Sequence, residues 1–516
     1  MSFLGIDVGT TGCKIIAFTH SGQQLARAYR EYPLLTPRPG WVELDPDHIW
    51  KSVAAGIREV AGQVHADPPE AMAVSSLGEA CLPIAADGQA LANSIVSFDM
   101  RALAQWGHFA DRLSADAVAE ITGLTPLPHY ALFKLMWWRE HQPEVFERAW
   151  KFVCFGDFIG FRLGVGPVMD HTMAARTLAF DVKRGNWSSV ILDAADLPSA
   201  KLPQIGTSGS VIGEIASSVA IDLDLPRGVK FVLGGLDQAC AALGAGVIQP
   251  SEALLSLGTA GVLGLVPKSP THRMSANGII TMPHIIPGTL LSLGGTMGGG
   301  SVLRWYRDQL GSAERETASR TGQDAYDVIL ATPDEQLVPV LVLPHLAGSR
   351  FAFGDPTAMG AVLGLTLETT RGAILRALLE GVAYEFAIMH ERFEAAGLPA
   401  PKLHAVGGGA QSDRWLQLIA DTTRVPIWAM QIADAAALGA SLLCTLALGQ
   451  YPTPAAAVGQ AVRLRRSFEP NRDWAAYHAA RLVLYRQAYA SIKDLAPQLR
   501  QVSTEAILTR SEQHDC

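Results

Sequence analysis

The chain is 516 residues long, more than one hydrophobic core usually serves, so two domains are expected. Hydrophobic residues make up 49% and charged residues 17%, the balance of a soluble globular protein rather than a disordered or fibrous one. With a net charge of −8, no block of Lys or Arg suggests a nucleic-acid or membrane surface, and the charge does not exclude phosphate chemistry, because anion sites can be built from backbone N–H groups.

The opening MSFLGIDVGTTG enters a strand pattern at once and leaves no room for a signal segment. Residues 3–8 read as an apolar strand ending at Gly9-Thr10-Thr11-Gly12, with return strands at 14–19 and 24–30, a β-meander. Asp45 and Pro46 start a helix at 46–64 as N-cap and first helical residue. A strand at 71–76, helices at 101–119 and 134–150, and a strand at 229–233 ending in Gly-Gly-Leu-Asp follow. Gly and Pro punctuation at 245–252 marks the domain boundary. The meander pattern then recurs, with a strand at 253–257, the turn Gly258-Thr259-Ala260-Gly261 and a return strand at 262–266, which suggests a duplicated domain plan. Helices at 301–310, 369–396, 412–423 and 434–448 interleave with strands at 279–282, 337–343 and 403–406, giving an α/β class protein. A last helix at 473–495 precedes a polar tail from Ser503, expected to be disordered. The most apolar helical run, 435–448, is too short to span a bilayer, and six scattered cysteines without C-x-x-C spacing read as reduced thiols in a cytoplasmic protein.

Two matched Gly-Thr turns can grip a polyphosphate from both sides of a cleft, using backbone N–H groups and threonine hydroxyls, with Lys14 as a point charge. Asp7, at the strand end before the first turn, is placed to hold Mg²⁺ through water. Gly407-Gly408-Gly409 permits close approach of a flat or anionic ligand, whereas Gly294–Gly300 either lines the nucleotide site or lets the helix at 301–310 pack closely, with packing the favoured reading. No GxxxxGK[ST] loop occurs, so phosphates are not held in the Walker manner. Asp237, at a strand end before a small-residue helix, has three readings: helix N-cap, buried structural carboxylate, or catalytic base. Glu79 follows another strand end and offers an acceptor for sugar hydroxyls, while Asp99 and Arg101 read as a structural pair.

Together, GIDVGTTGCK, SLGTAG, AVGGGAQSDRWLQLIAD, KLMWWREHQPEVF, the second-domain stretch at 343–365 and RALLEGVAYE resemble the FGGY family of carbohydrate kinases, over residues 3–450. The resemblance implies an actin/Hsp70/hexokinase-like (ribonuclease H-like) fold, with 1–248 mainly sugar-binding, 249–500 mainly ATP-binding and 501–516 a tail. It implies Asp237 as the base, and Glu79, Asp237 and Gln238 at the sugar. It also implies Gly9, Thr10, Thr11, Lys14, Gly258, Thr259, Gly408, Gly409 and Gln411 at ATP, with Mg²⁺ and closure between the domains. A homodimer is an option the resemblance leaves, with no residue marking an interface. PGWVELDPDHIW is close to a stretch of xylulokinases, making D-xylulose the best acceptor; L-fuculose, L-ribulose, erythritol and glycerol are alternatives. Gly78-Glu79 departs from the Met-His of xylulokinases and shares only the glutamate with the Arg-Glu of glycerol kinases. A further alternative is an actin- or chaperone-like ATPase or an inactive sugar sensor, for which sugar-independent ATP hydrolysis would be the mark.

Overall fold

A computed structural model describes residues 1–269, 277–331, 337, 339–499 and 501–502; the tail from Ser503 lies outside them. Two sheets organise the chain. The first has the order Val211–Glu214, Lys230–Leu236, Pro69–Ser76, Ser2–Val8, Gly12–Phe18, Gln24–Glu31. The second has the order Leu464–Phe468, Ile427–Met430, Leu403–Val406, Ala253–Leu257, Gly261–Leu265, Leu290–Thr296, with Ile280–Pro283 added at its edge. In each, an antiparallel meander lies beside two parallel strands and one antiparallel edge strand. The two sheets therefore repeat one spatial order of strands, and the Gly9 and Gly258 turns occupy the same hairpin in each. They differ in that the antiparallel edge strand precedes its neighbour in the chain in the first half and follows it in the second.

The meander, the helix Pro46–Gln63 and the second Gly-Thr hairpin form as their residues predict, and Asp45 caps the helix through the amides of Asp47 and His48. The expected helices at 101–119 and 134–150 are each divided in two. Ser114 takes the Ala117 amide and starts Ala115–Thr122 separately from Leu103–Ala110; Pro143 opens Pro143–Arg148 after Ala131–His141 ends. The strand expected at 229–233 runs on to Leu236 despite two glycines. A Cβ on Gly234 would lie 2.0 Å from the Val74 carbonyl oxygen, so glycine is what lets this strand approach its neighbour.

The two halves meet through a pair of helices, Asp237–Gly244 and Ala435–Ala447, each following the corresponding parallel strand of its sheet. A Cβ on Gly439 would lie 1.9 Å from the Cys240 carbonyl oxygen, and one on Gly244 2.0 Å from that of Ala435. Backbone thus packs on backbone. The second helix also crosses to the first sheet, where a Cβ on Gly5 would lie 1.9 Å from the Ala437 oxygen. One hydrophobic core accordingly joins Phe3, Ile16 and Val232 to Leu438, Leu442 and Leu443. The described cysteines Cys13, Cys81, Cys154, Cys240 and Cys444 are all buried and unbridged. Among the described residues no helix is long and apolar enough to cross a membrane.

Candidate active site

The parallel ladders set Val8, Ser76 and Leu236 side by side at one edge of the first sheet. Asp7, Glu79 and Asp237 are therefore delivered to the carboxyl ends of three adjacent strands, the usual ligand edge of an open parallel sheet. Asp237 does not cap its helix. It is the first helical residue, its Oδ1 accepts from the Gln238 amide at 2.7 Å, and Leu236 stands at the cap position without a side-chain bond. The Leu236 amide is itself taken by Thr172 Oγ1 at 2.8 Å, fixing the backbone just ahead of the carboxylate. Burial, and then the negative charge of Asp7, push Asp237 up to about 7; the Gln238 amide and Arg176 pull the other way.

Burial likewise raises Asp7 despite Lys14 at 3.9 Å and a 3.3 Å hydrogen bond from Ser75. Lys14 is bound more closely to Asp434, at 2.9 Å, and Arg27 Nε donates to the other Asp434 oxygen at 2.9 Å. Burial disfavours the Lys14 charge, but Asp7 and Asp434 carry its proton affinity above the ordinary lysine value. Asp7 and Asp237 are two oxygen donors whose mutual repulsion a hard divalent cation relieves. A pair of carboxylates is a donor set that fits a cation keeping water and phosphate ligands, as Mg²⁺ does.

Glu79 is buried and held in left-handed backbone, φ 58°. The buried Lys134 ammonium pins that turn by donating to the Glu79 carbonyl at 2.8 Å, against a burial cost that lowers its own proton affinity. The Glu79 carboxylate pairs with Arg176, whose guanidinium lies 5.1 Å from the Tyr130 ring centroid. Among the described residues, Arg176 Nη1 and Gln238 Oε1 are buried without a hydrogen-bond partner. Such groups favour a ligand rich in hydroxyls.

A cavity of about 630 Å³ opens on the second half, lined by Gly258, Thr259, Gly408, Gly409 and Gln411, and by Lys14 from the first half. Gly408 has open space where a Cβ would stand, whereas one on Gly409 would meet the Trp415 ring at 2.7 Å. Gly9, Thr10 and Thr11 do not line this cavity; their turn is tied by Gly9 N–H to Gly12 at 2.9 Å and by Tyr32 Oη to the Gly9 carbonyl at 2.6 Å. Gly300 does more than pack. Its amide bonds the Gly258 carbonyl at 2.7 Å, and it lines the cavity with Ser301. Asp99 and Arg101 form the expected structural pair, with Arg101 stacked 3.8 Å from the Trp41 ring centroid.

Two contributors escaped sequence reasoning. Arg176 sits in no recognisable polar motif, and the helix Ala325–Ala331 brings Tyr326, Asp327 and Leu330 to the cavity wall; Lys134 opens the KLMWWREHQPEVF segment, but its hold on the Glu79 turn was not foreseen. An aromatic and aliphatic wall opposite a glycine floor suits a flat heterocycle with a phosphate chain.

Residues 2–244 match the N-terminal domain, and residues 253–448 the C-terminal domain, of the FGGY family of carbohydrate kinases. The chain is 28% identical to a xylulose kinase of Staphylococcus epidermidis over 98% of both chains. It is 31% identical to a glycerol kinase of Methylibium petroleiphilum, covering 87% of this chain and 91% of that one. The crystal structure of ligand-bound xylulose kinase from Lactobacillus acidophilus superposes with a TM-score of 0.84 at 26% identity, covering 96% of this chain and 99% of that one. Duplicated sheets, a glycine-lined cavity, carboxylates at the strand ends and both matched domains lead to one conclusion: this chain belongs to the FGGY family of carbohydrate kinases.

Proposed function

We propose that the protein transfers the γ-phosphoryl group of ATP to a primary hydroxyl of a small sugar, with D-xylulose as the acceptor. The observation that carries this reading is the uncapped carboxylate of Asp237, raised to about 7 beside Asp7 and linked through Lys14 to the glycine-lined cavity. Asp237 accepts the hydroxyl proton as the new O–P bond forms and the bond to the ADP oxygen breaks. Glu79, Arg176 and Gln238 orient the sugar; Gly258, Thr259, Gly408, Gly409 and Gln411 hold the nucleotide, with Gly9, Thr10 and Thr11 meeting its phosphates from the first half. Asp7 would hold Mg²⁺ through water, and the ion supplies charge neutralisation to the phosphoryl oxygens. In this scheme residues 1–248 serve mainly the sugar and 249–500 mainly ATP.

A second acceptor class, the polyols, is favoured by one contact. Glycerol kinases carry Arg-Glu at the position of Gly78-Glu79, and here Arg176 reaches the same glutamate from another segment, with its Cγ 3.5 Å from where a Gly78 Cβ would stand. An ADP-release assay over D-xylulose, L-ribulose, L-fuculose, erythritol and glycerol decides between the two classes. Turnover on D-xylulose well above the others supports the first; preference for glycerol or erythritol supports the second; equal ADP release without any acceptor counts against both.

A further inference from the structure

The Gly258-Thr259 turn is held from behind by a loop that itself hangs on a buried carboxylate. The strand Leu290–Thr296 runs antiparallel to Gly261–Leu265, with Thr296 opposite Gly261. A Cβ on Gly261 would lie 2.9 Å from Thr296 Cγ2 and 2.7 Å from the Phe386 ring, so this strand, the turn and the helix Arg371–Ala395 meet closely. Beyond Thr296 the chain folds back over the turn. Gly300 N–H donates to the Gly258 carbonyl at 2.7 Å and Ser301 N–H to the Thr259 carbonyl at 3.0 Å. A Cβ on Gly299 would lie 2.6 Å from the Ala260 carbonyl carbon, so backbone rests on backbone. Both turn carbonyls are thereby occupied, which keeps them from opposing phosphate oxygens.

One side chain fixes where that loop begins. Thr296 Oγ1 accepts from the Gly298 amide at 3.0 Å and donates to Glu385 Oε2 at 3.2 Å. Glu385 is fully buried and also accepts from Ser349 Oγ at 3.2 Å and Tyr485 Oη at 2.9 Å, with His345 Nε2 at 3.1 Å. Tyr485 belongs to the helix Ala475–Ile492, beyond the residues matched to the C-terminal family domain. A charged acceptor polarises the hydroxyl it binds, and that hydroxyl then accepts more strongly from the amide behind it. Neither Thr296 nor Glu385 is among the residues lining the glycine cavity, so their part is to hold the turn rather than to touch its ligand.

We propose that Thr296, oriented by Glu385, is a positioning residue for the nucleotide: it sets the loop from Gly298 to Ser301, and through it the Gly258-Thr259 turn against the phosphate chain. This rests on the reading of the glycine-lined cavity as the ATP site. Gly298-Gly299-Gly300 has little stiffness of its own, so loss of the hydroxyl leaves the loop free to shift and the turn with it.

The test is steady-state kinetics of Thr296→Val and Thr296→Ser, each substrate being varied while the other is saturating. The acceptor is whichever sugar or polyol of the ADP-release panel the wild-type protein phosphorylates fastest. Thr296→Val keeps the shape and removes the hydroxyl; it should raise the KM for ATP about tenfold and leave the acceptor KM within about twofold. Thr296→Ser keeps the hydroxyl and should stay within about threefold of the wild-type protein in both. Glu385→Gln, which removes the charge, should show the same split as Thr296→Val; where it does not fold, the Thr296 pair decides alone. An unchanged KM for ATP in Thr296→Val or in folded Glu385→Gln, an equal rise in both KM values, or an equal loss in Thr296→Ser overturns the proposal. Gly408→Leu, which fills open space on the cavity floor, is the companion variant. If it raises the KM for ATP while Thr296→Val does not, only the role of Thr296 fails; if neither changes it, the nucleotide site itself is misassigned.

Discussion

Asp237 shows how a single carboxylate changes meaning with its surroundings. Uncapped, desolvated and facing Asp7, it is unfavourable as an anion, which is the condition a base near neutral pH needs. Asp237→Asn should lower kcat by about 10²–10⁴-fold while isothermal calorimetry with an ATP analogue shows binding retained. Because the base works deprotonated, kcat/KM should rise with pH through about 7, and a profile already flat below pH 6 would contradict this. The same shift has a stability sign. The folded-state value is raised from 3.8 to about 7, so the stability tied to the protonated form is complete below about pH 4 and lost as pH rises through 7. Asp237→Asn should therefore melt above the wild-type protein at about pH 8 and lose that advantage near pH 4.

At the scale of elements, the helix pair Asp237–Gly244 and Ala435–Ala447 couples the two halves through contacts that only glycine allows. Gly439→Ala puts a methyl group 1.9 Å from the Cys240 oxygen, a clash of backbone with no flexible side chain to yield. It should destabilise the fold by roughly 1–3 kcal/mol, read as a lower melting temperature. Because Asp237 opens one helix and Asp434 precedes the other, separation of the pair should lower kcat as well. A variant with unchanged melting and turnover would show that the helices tolerate separation. The Ala/Gly composition of 435–447 was legible in the sequence; that this helix leaves its own sheet to cover the first one was not, because small residues state that something comes close without stating what.

Across the whole molecule, the proposed nucleotide and sugar sites lie on different halves that one hydrophobic cluster joins, so binding at one should alter binding at the other. In the proposed closure a non-hydrolysable ATP analogue should bind roughly 5–150-fold more tightly in saturating acceptor, and the acceptor should gain equally in saturating analogue, as linkage requires. Calorimetric titration in both orders checks this; independent affinities would mean that the cleft does not close cooperatively.

The sequence by itself determined the repeated plan, because the strand–Gly-Thr–strand units, the Asp45-Pro46 helix start and the strand-end positions of Asp7, Glu79, Asp237, Gly258 and Gly408 all follow from local periodicity and turn chemistry. Tertiary structure decided which of these meet. It released Asp237 from capping, gave Lys14 to Asp434 and kept the Gly9 turn off the cavity lining. It also brought Arg176 and Tyr326 to sites that their neighbours in sequence do not signal. The physical reason is range: hydrogen bonding and side-chain periodicity act within a few residues, whereas charge pairing and desolvation are set by groups brought together from distant parts of the chain.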